Sequence, residues 1–189
     1  MTGSFLQQLP GGATLHLANS HSIYLAQLFD LPAGVELFCN RGTNGIEGSL
    51  STAVGYASAS GRLTFLLTGD MSFFYDMNAL WNRHLSPRLR ILLNNNGGGG
   101  IFHTLPGLDR SEALNDFVAA AHDTEARTWA EQQGFQCLKA RNAEELQQQL
   151  PYFVNRKVNR PVLLEVFTSM EESRKQIASY YQQFKNDKE

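Results

Sequence analysis

Short apolar runs alternate with longer amphipathic segments along the whole sequence. Six runs read as strands, and several of them are apolar at nearly every position: residues 14–18, 36–39, 63–68, 90–93, 135–138 and 162–167. Continuous apolar runs are typical of strands buried on both faces, which occur in parallel sheets covered by helices. We therefore predict an α/β fold, with an open, mostly parallel sheet of about six strands and helices on both faces.

The segments between these runs predict the covering helices. Residues 20–29 follow the first run, residues 47–60 are dominated by small side chains, and residues 72–84 begin at Ser72, whose hydroxyl can cap a helix. Asn142, with Glu145 three positions later, has the spacing of a capping box. No repeat, charge block or low-complexity linker divides the sequence, so we predict one domain over residues 1–189.

Composition and charge exclude several function classes. The chain carries 16 Lys and Arg against 18 Asp and Glu, a net charge of −2. So small a charge leaves no basic surface for nucleic acid or an anionic membrane, and no apolar run approaches the roughly 18–20 residues of a membrane span. The first residues lack a signal-peptide pattern, and two cysteines are too few for a disulfide framework. We expect a cytoplasmic protein that binds no nucleic acid and does not span a membrane.

Polar and glycine-rich segments follow the predicted strands at one end. They are residues 19–20, 40–45, 69–72 and 94–100. The loops at the opposite end are ordinary turns. Ligands of open parallel sheets bind beyond the carboxyl ends of the strands, so this one-sided distribution predicts a binding site.

Asp70 and the asparagines that follow it suggest a metal–phosphate site. A helix N-terminus attracts phosphate, but an aspartate there repels it unless a cation such as Mg²⁺ lies between them. Asn94, the first of the asparagines, follows Asp70 after 23 intervening residues, which leaves room for a helix and a strand returning to the same sheet edge. An asparagine oxygen and a glycine carbonyl could complete the ligands. Each part alone has an ordinary interpretation as a helix cap, turn or flexible loop, so the order and spacing carry the hypothesis.

Other chemistries have less support in the sequence. The histidines show no metal-ligand spacing, and we expect each at the surface or in a structural role: His16, His21, His84, His103 and His122. Ser20 has no accompanying His–Asp pattern that would make it a nucleophile. Neither a Walker sequence nor a G-x-G-x-x-G fingerprint occurs, which argues against a P-loop NTPase and a dinucleotide-binding domain.

The motif formed by Gly69-Asp70 and the later asparagines resembles the GDG…NN motif of thiamine-diphosphate enzymes, with Met71 in place of the last glycine. Three segments, NRGTNGIEGSLSTAVGYA, GDMSFFYDMNAL and NNNGGGGIFHTLP, resemble in order the menaquinone-pathway synthases that join 2-oxoglutarate to isochorismate (2-succinyl-5-enolpyruvyl-6-hydroxy-3-cyclohexene-1-carboxylate synthases). The resemblance is strong over residues 18–106. It implies the thiamine-diphosphate-binding fold, as the C-terminal, diphosphate-binding domain of a three-domain transferase.

The resemblance assigns the metal ligands. Asp70 would bind Mg²⁺ or Mn²⁺ together with Asn96 and the carbonyl of Gly98. A register one residue earlier gives Asn95 and Gly97 instead. We prefer the first register because its alignment needs one gap rather than two.

The resemblance also assigns the residues around the cofactor and substrates. Contacts with the cofactor would come from Asn19, Ser20, Gly69, Asp70, Met71, Ser72 and Asn96. Ser20 and Arg41 would contact the substrates, and Ile46 would support the bent cofactor. The apolar walls of the pocket would be Ile101, Phe102 and Leu105.

Two features distinguish this chain from a complete enzyme of that family. The family pattern Asn-Ser-x-x-x-Arg has Tyr24 at its last position here, which can donate one hydrogen bond to a substrate carboxylate but carries no positive charge. The glutamate that activates the cofactor belongs to a separate pyrimidine-binding domain, usually of another subunit of a homo-oligomer, and Glu47 does not correspond to it. The isolated chain should therefore be inactive.

Two other interpretations of the sequence stay open. The chain could be the corresponding domain of another thiamine-diphosphate enzyme, such as a 2-oxoacid decarboxylase or an acetolactate-type synthase. It could also be a noncatalytic α/β domain whose polar loops bind a partner.

Overall fold

A computed structural model describes residues 1–105 and 107–186 of the chain. Within these ranges six strands form one sheet: β1 (Thr14–Leu17), β2 (Glu36–Cys39), β3 (Thr64–Gly69), β4 (Leu89–Asn95), β5 (Gln136–Ala140) and β6 (Val162–Phe167). Their order in the sheet is β2-β1-β3-β4-β6-β5, and every neighbouring pair is parallel. The predicted α/β class with a six-stranded sheet is confirmed.

Helices surround the sheet. They are α1 (Thr2–Leu6), α2 (His21–Ala26), α3 (Ser49–Ser60), α4 (Asp70–Tyr75), α5 (Arg127–Gln132), α6 (Ala143–Phe153) and α7 (Met170–Asn186). Short 3₁₀ turns cover Met77–Leu80, Gly100–Thr104 and Leu108–Arg110, and a π turn covers Leu114–Val118. In the part of the chain that the structure describes, no helix combines the length and apolarity needed to cross a membrane.

The strands β1, β3, β4 and β6 are buried on both faces, because consecutive residues of these strands enter different halves of the core. In β3, Phe65 and Leu67 pack with side chains of α1 and α6, whereas Leu66 between them packs with those of α3 and α5. The rings of Phe5, Phe65 and Phe153 lie with their centroids 5.7–5.9 Å apart and join α1 and α6 to the sheet. This two-sided burial explains why the strands are apolar at nearly every position.

Arg90 anchors the connection between α6 and β6 to the start of β4. It is fully buried, and its guanidinium donates to six carbonyl oxygens at 2.8–3.2 Å, those of Pro87, Leu89, Phe153, Asn155, Val158 and Arg160. Carbonyls at the end of a helix have no partner within the helix, and the planar guanidinium satisfies several at once. Burial lowers the pKa of Arg90 to about 10, so the side chain stays charged at neutral pH.

The helix predicted over residues 72–84 is wrong in its bounds and in its cap. Helix α4 begins at Asp70 and ends at Tyr75, and a separate 3₁₀ turn follows. The carboxylate of Asp76 accepts the backbone N–H of Ser51 at 2.7 Å and the hydroxyl of the same residue, so Asp76 caps α3 rather than continuing α4. The hydroxyl of Ser72 caps nothing and donates to the carbonyl oxygen of Ile46.

The strand order opens a crevice between β1 and β3. The chain passes from β1 outward to β2 on one side and from β3 outward to β4 on the other, so the loops leaving β1 and β3 diverge. Open α/β sheets bind ligands at such a switch point. The polar loops after β1, β2, β3 and β4 meet at this edge.

His16 on β1 links stability to pH. It is buried, and its ring lies against those of Phe38 and Tyr56, with centroids 5.4 and 5.0 Å away. Burial lowers the pKa of His16 from 6.5 to about 4. The unfolded chain therefore takes up a proton near its ordinary pKa while the folded chain does not. The contribution of neutral His16 to the free energy of unfolding is therefore complete above the pKa of this residue in the unfolded chain. It is lost progressively as the pH falls toward the pKa of His16 in the folded chain.

We expect the His16→Phe variant to lose less stability on acidification than the wild type. Phenylalanine keeps the contacts with Phe38 and Tyr56 but cannot be protonated, so roughly 3 kcal/mol at most of the loss between about pH 7 and about pH 4 should disappear. Urea unfolding at several pH values measures this difference, with the exposed His84→Phe as the control. Parallel stability curves for wild type and His16→Phe would contradict the assignment.

Candidate functional site

A cavity of about 450 Å³ lies where the loops after β1, β2, β3 and β4 meet. The predicted site residues on its wall are Asn19, Ser20, Arg41, Ile46, Gly69, Asp70, Met71, Ser72, Asn96, Gly98, Ile101 and Phe102. Leu105 does not reach it and instead lines a neighbouring cavity of about 480 Å³ beside α1, α2 and α7. Asn95 and Gly97 also lie off the wall of the first cavity.

Asp70 joins the end of β3 to the loop after β4. The residue is 2% exposed, and its Oδ2 accepts the backbone N–H groups of Asn96, Gly97 and Gly98 at 3.0, 2.8 and 2.9 Å. Its Oδ1 accepts the backbone N–H of Met71 at 2.6 Å. Four donors therefore fix both the position and the orientation of this carboxylate.

The side-chain amide of Asn96 approaches the same carboxylate. One of its two terminal atoms lies 2.9 Å from the carbonyl oxygen of Gly98 and 3.2 Å from Oδ2 of Asp70. A nitrogen at this position donates to both oxygens, whereas an oxygen there faces two other oxygens and needs a cation between them. Carboxylate, amide and carbonyl oxygens form a ligand set that Mg²⁺ accepts, with its other positions left to water or phosphate. These three residues therefore fit a divalent cation once the amide presents its oxygen.

Asn95 makes contacts away from that carboxylate. Its Nδ2 donates to the carbonyl oxygen of Thr124 and to Oε1 of Glu165, both at 2.8 Å, and its Oδ1 accepts the N–H of Gly97 at 3.3 Å. Glu165 is buried on β6 and also accepts the N–H of Ala126 at 3.0 Å. Sequence reasoning missed Glu165, although a single acid inside an apolar run was a sign of an internal hydrogen-bond network.

Two glycines shape the cavity wall in different ways. Gly98 has φ +141°, and a Cβ there would lie 2.6 Å from the carbonyl oxygen of Ala119, so only glycine fits. Gly69 has an ordinary φ of −89°, but a Cβ there would meet no atom within 4 Å. Glycine at position 69 therefore leaves space at the start of α4 that a side chain would fill.

Backbone strain is concentrated around the same cavity. In residues 1–105 and 107–186, the residues other than glycine with positive φ are Ser20 (64°), Asn44 (59°) and Ala120 (48°). All of them line this cavity. Such conformations cost about 1–3 kcal/mol each and tend to occur at functional sites. The strain indicates a functional site independently of the sequence motifs.

Asn19 and Ser72 hold the loop that carries Ile46. The Nδ2 of Asn19 donates to the carbonyl oxygens of Asn40, at 2.8 Å, and Gly45, and the hydroxyl of Ser72 holds the carbonyl of Ile46. The Oδ1 of Asn19 is buried without a hydrogen-bond partner among the described residues. Buried polar atoms are normally paired, so this oxygen can accept a hydrogen bond from a ligand in the cavity.

Arg41 provides positive charge at the cavity. Its guanidinium lies over the ring of Tyr24, 5.4 Å from the ring centroid, and both residues line the cavity. A cation–π contact of this kind favours one position of the charged group. Tyr24 therefore supports the guanidinium of Arg41 although it carries no charge itself.

His122 approaches Asp70 from a loop that sequence reasoning did not connect with the site. Its Nε2 lies 3.5 Å from Oδ2 of Asp70. Burial raises the pKa of Asp70, while the N–H groups of Gly98, Met71 and Gly97 and the neighbouring His122 ring oppose that rise. The described ranges contain no group of three or more His, Cys, Asp or Glu arranged for a metal. The candidate metal ligands are one carboxylate and two neutral oxygens.

The chain resembles known proteins over nearly its whole length. No protein-family model matches it. It is 52% identical over 185 residues to a 2-succinyl-5-enolpyruvyl-6-hydroxy-3-cyclohexene-1-carboxylate synthase of Bacteroides fragilis. The matched stretch covers 97% of this chain and 33% of that protein. A protein of the same name from Phocaeicola vulgatus is 50% identical over 188 residues, or 99% of this chain and 34% of that protein. Another from Flavobacterium psychrophilum is 45% identical over 163 residues, or 86% and 29%. The chain spans about a third of the length of these relatives.

We expect the two adjacent asparagines to differ in their contribution to folding. Asn95→Ala removes the donor to the buried Glu165 and should lower the free energy of unfolding by about 2–3 kcal/mol. Asn96→Ala loses contacts only with neighbouring oxygens and should cost about 1 kcal/mol. Urea unfolding of both variants without divalent cations measures the difference. Equal losses in the two variants would show that the hydrogen bonds have been assigned wrongly.

Proposed function

The chain is homologous to one third of the 2-succinyl-5-enolpyruvyl-6-hydroxy-3-cyclohexene-1-carboxylate synthases, and from this premise we propose that it is the C-terminal, diphosphate-binding domain of such a transferase in menaquinone biosynthesis. Its cofactors are thiamine diphosphate and Mg²⁺ or Mn²⁺. The observation that carries the proposal is the approach of Asn96 and Gly98 to the buried carboxylate of Asp70, beside the cavity at the switch point of the sheet.

In this proposal Asp70, Asn96 and the carbonyl of Gly98 hold the cation, and the space left by Gly69 admits the diphosphate. Asp70 alone would repel a diphosphate, so the cation is required for the two anionic groups to lie side by side. When bound, thiamine diphosphate supplies the nucleophile and the electron sink for decarboxylation of 2-oxoglutarate. The chain itself binds the cofactor, orients the substrates and excludes water.

The remaining residues of the cavity act on cofactor position and substrate charge. Arg41 binds substrate carboxylates, since both 2-oxoglutarate and isochorismate are polyanions. Ser20 offers a hydroxyl in the same cavity, and Ile46 supports the cofactor from a loop fixed by Ser72. Ile101 and Phe102 form the apolar wall that limits access of water.

The site is completed by the pyrimidine-binding domain of another subunit in a homo-oligomer, because that domain carries the glutamate that activates the cofactor. Exposed aromatic side chains around the cavity support this proposal. Phe117 and Tyr75 line it and are 81% and 66% exposed. Large exposed apolar side chains beside a site are typical of surfaces that another domain covers. The isolated chain is then inactive with both substrates.

Removal of the Asp70 carboxylate should abolish Mg²⁺-dependent binding of thiamine diphosphate. Loss of a metal ligand should lower the affinity by more than the factor of about 10–100 that is typical for loss of a residue supporting a ligand. Calorimetric titration of wild type and Asp70→Asn, with and without Mg²⁺, measures this. The exposed Asp30→Asn is the control with the same change of charge. Equal affinities in wild type and Asp70→Asn would refute the metal assignment and favour a noncatalytic binding domain.

A chimaeric enzyme tests the catalytic part of the proposal. We expect the B. fragilis relative, with its matching third replaced by this chain, to form product from 2-oxoglutarate and isochorismate, and the Asp70→Asn chimaera to form none. Chromatography of the product and measurement of CO₂ release follow the reaction. A folded chimaera that decarboxylates a different 2-oxoacid, or releases CO₂ without forming product from isochorismate, would support another thiamine-diphosphate enzyme instead.

A further inference from the structure

We infer that His122 is a positioning residue, which holds the carboxylate of Asp70 against the loop after β4. The metal-binding consequence of this inference rests on the proposed function, whereas the contact between the two side chains does not. Nε2 of His122 lies 3.5 Å from Oδ2 of Asp70, which is the oxygen that accepts the N–H groups of Asn96, Gly97 and Gly98.

The hydrogen bonds around His122 determine which ring nitrogen carries the proton. Nδ1 accepts the backbone N–H of Thr124 at 3.1 Å, so it presents a lone pair. The proton of the neutral ring is then on Nε2, the atom that faces Asp70. Nε2 is buried and has no hydrogen-bond partner among the described residues. A buried donor that faces a carboxylate stabilises its negative charge more than a solvated one does.

The ring of His122 is held in place from several directions. Its side chain is 17% exposed, and the ring meets that of Phe74 edge to face, with centroids 5.4 Å apart at 83°. The backbone N–H of His122 donates to the carbonyl oxygen of Gly97 at 3.1 Å. Because the N–H of Gly97 donates to Asp70, these contacts form a closed circuit of Asp70, Gly97 and His122.

His122 also separates Asp70 from water on the far side of the loop. Asp70 lines the cavity at the switch point, whereas His122 lines a second cavity of about 740 Å³ behind the loop, together with Asn96 and Gly97. The imidazole therefore has two separable effects on the carboxylate, as a barrier to water and as a polar N–H group 3.5 Å from Oδ2. Leucine in its place retains much of the barrier without the donor, and glutamine retains an N–H at the corresponding reach.

Amide hydrogen exchange of the full chain without metal tests the contact itself. We expect His122→Leu to raise the exchange rates of the Asn96, Gly97 and Gly98 amides by about tenfold or more, and His122→Gln to restore slow exchange. The exposed His84→Leu should leave the rates unchanged. Wild-type ¹⁵N spectra should show the proton of His122 on Nε2. Unchanged exchange in His122→Leu, or an Nε2 without a proton, would overturn the inference.

Titration of the same variants with Mg²⁺ and thiamine diphosphate tests the consequence for the site. The apparent Kd for Mg²⁺ should rise by about 10–100-fold in His122→Leu and recover in His122→Gln. If neither wild type nor any variant binds, while the exchange difference persists, the proposed function fails and the positioning role of His122 stands. Equal Kd values in wild type and His122→Leu would overturn the role of His122 in metal binding.

Discussion

The carboxylate of Asp70 is the interaction on which the site depends. Three consecutive backbone N–H groups, from Asn96 to Gly98, donate to one of its oxygens, so the turn at the end of β3 determines the path of the loop after β4. Burial of a carboxylate is costly unless donors compensate it, and here the donors belong to the loop that must be placed. The same contact also fixes the positions of the Asn96 amide and the Gly98 carbonyl.

Two other buried charged groups of the sheet, Arg90 and Glu165, are satisfied in the same way, by neutral backbone and amide groups. Arg90 collects carbonyl oxygens at the start of β4, and Glu165 on β6 accepts from Asn95 and the N–H of Ala126. Such contacts tie loops to strands, because each connects a side chain on a rigid element with groups of a connecting segment. Around the cavity, Asp70, Asn19 and Ser72 hold the loops by contacts of the same kind, and loops fixed in this way favour precise binding.

The sequence determined the strands and the edge of the sheet that carries the site, because two-sided burial leaves continuous apolar runs and polar loops follow them at one end. It was less successful where a side chain contacts a distant segment. Asp76 ends α4 by capping α3, and His122 reaches Asp70 from a loop far along the chain. Neither contact leaves a local pattern, because both partners are brought together only by the packing of helices on the sheet.

The choice between adjacent asparagines shows the same division. Spacing from Asp70 suits Asn95 and Asn96 equally, so the sequence left two registers open, of which the alignment with fewer gaps favoured Asn96. At the end of β4 successive side chains point in opposite directions, so a shift of one residue exchanges their surroundings. The tertiary structure directs Asn95 toward Glu165 and Asn96 toward Asp70. The sequence thus indicated the residue types of the candidate site and its sheet edge, whereas only the folded chain decided which residues meet, because orientation at a strand end depends on the neighbouring strands.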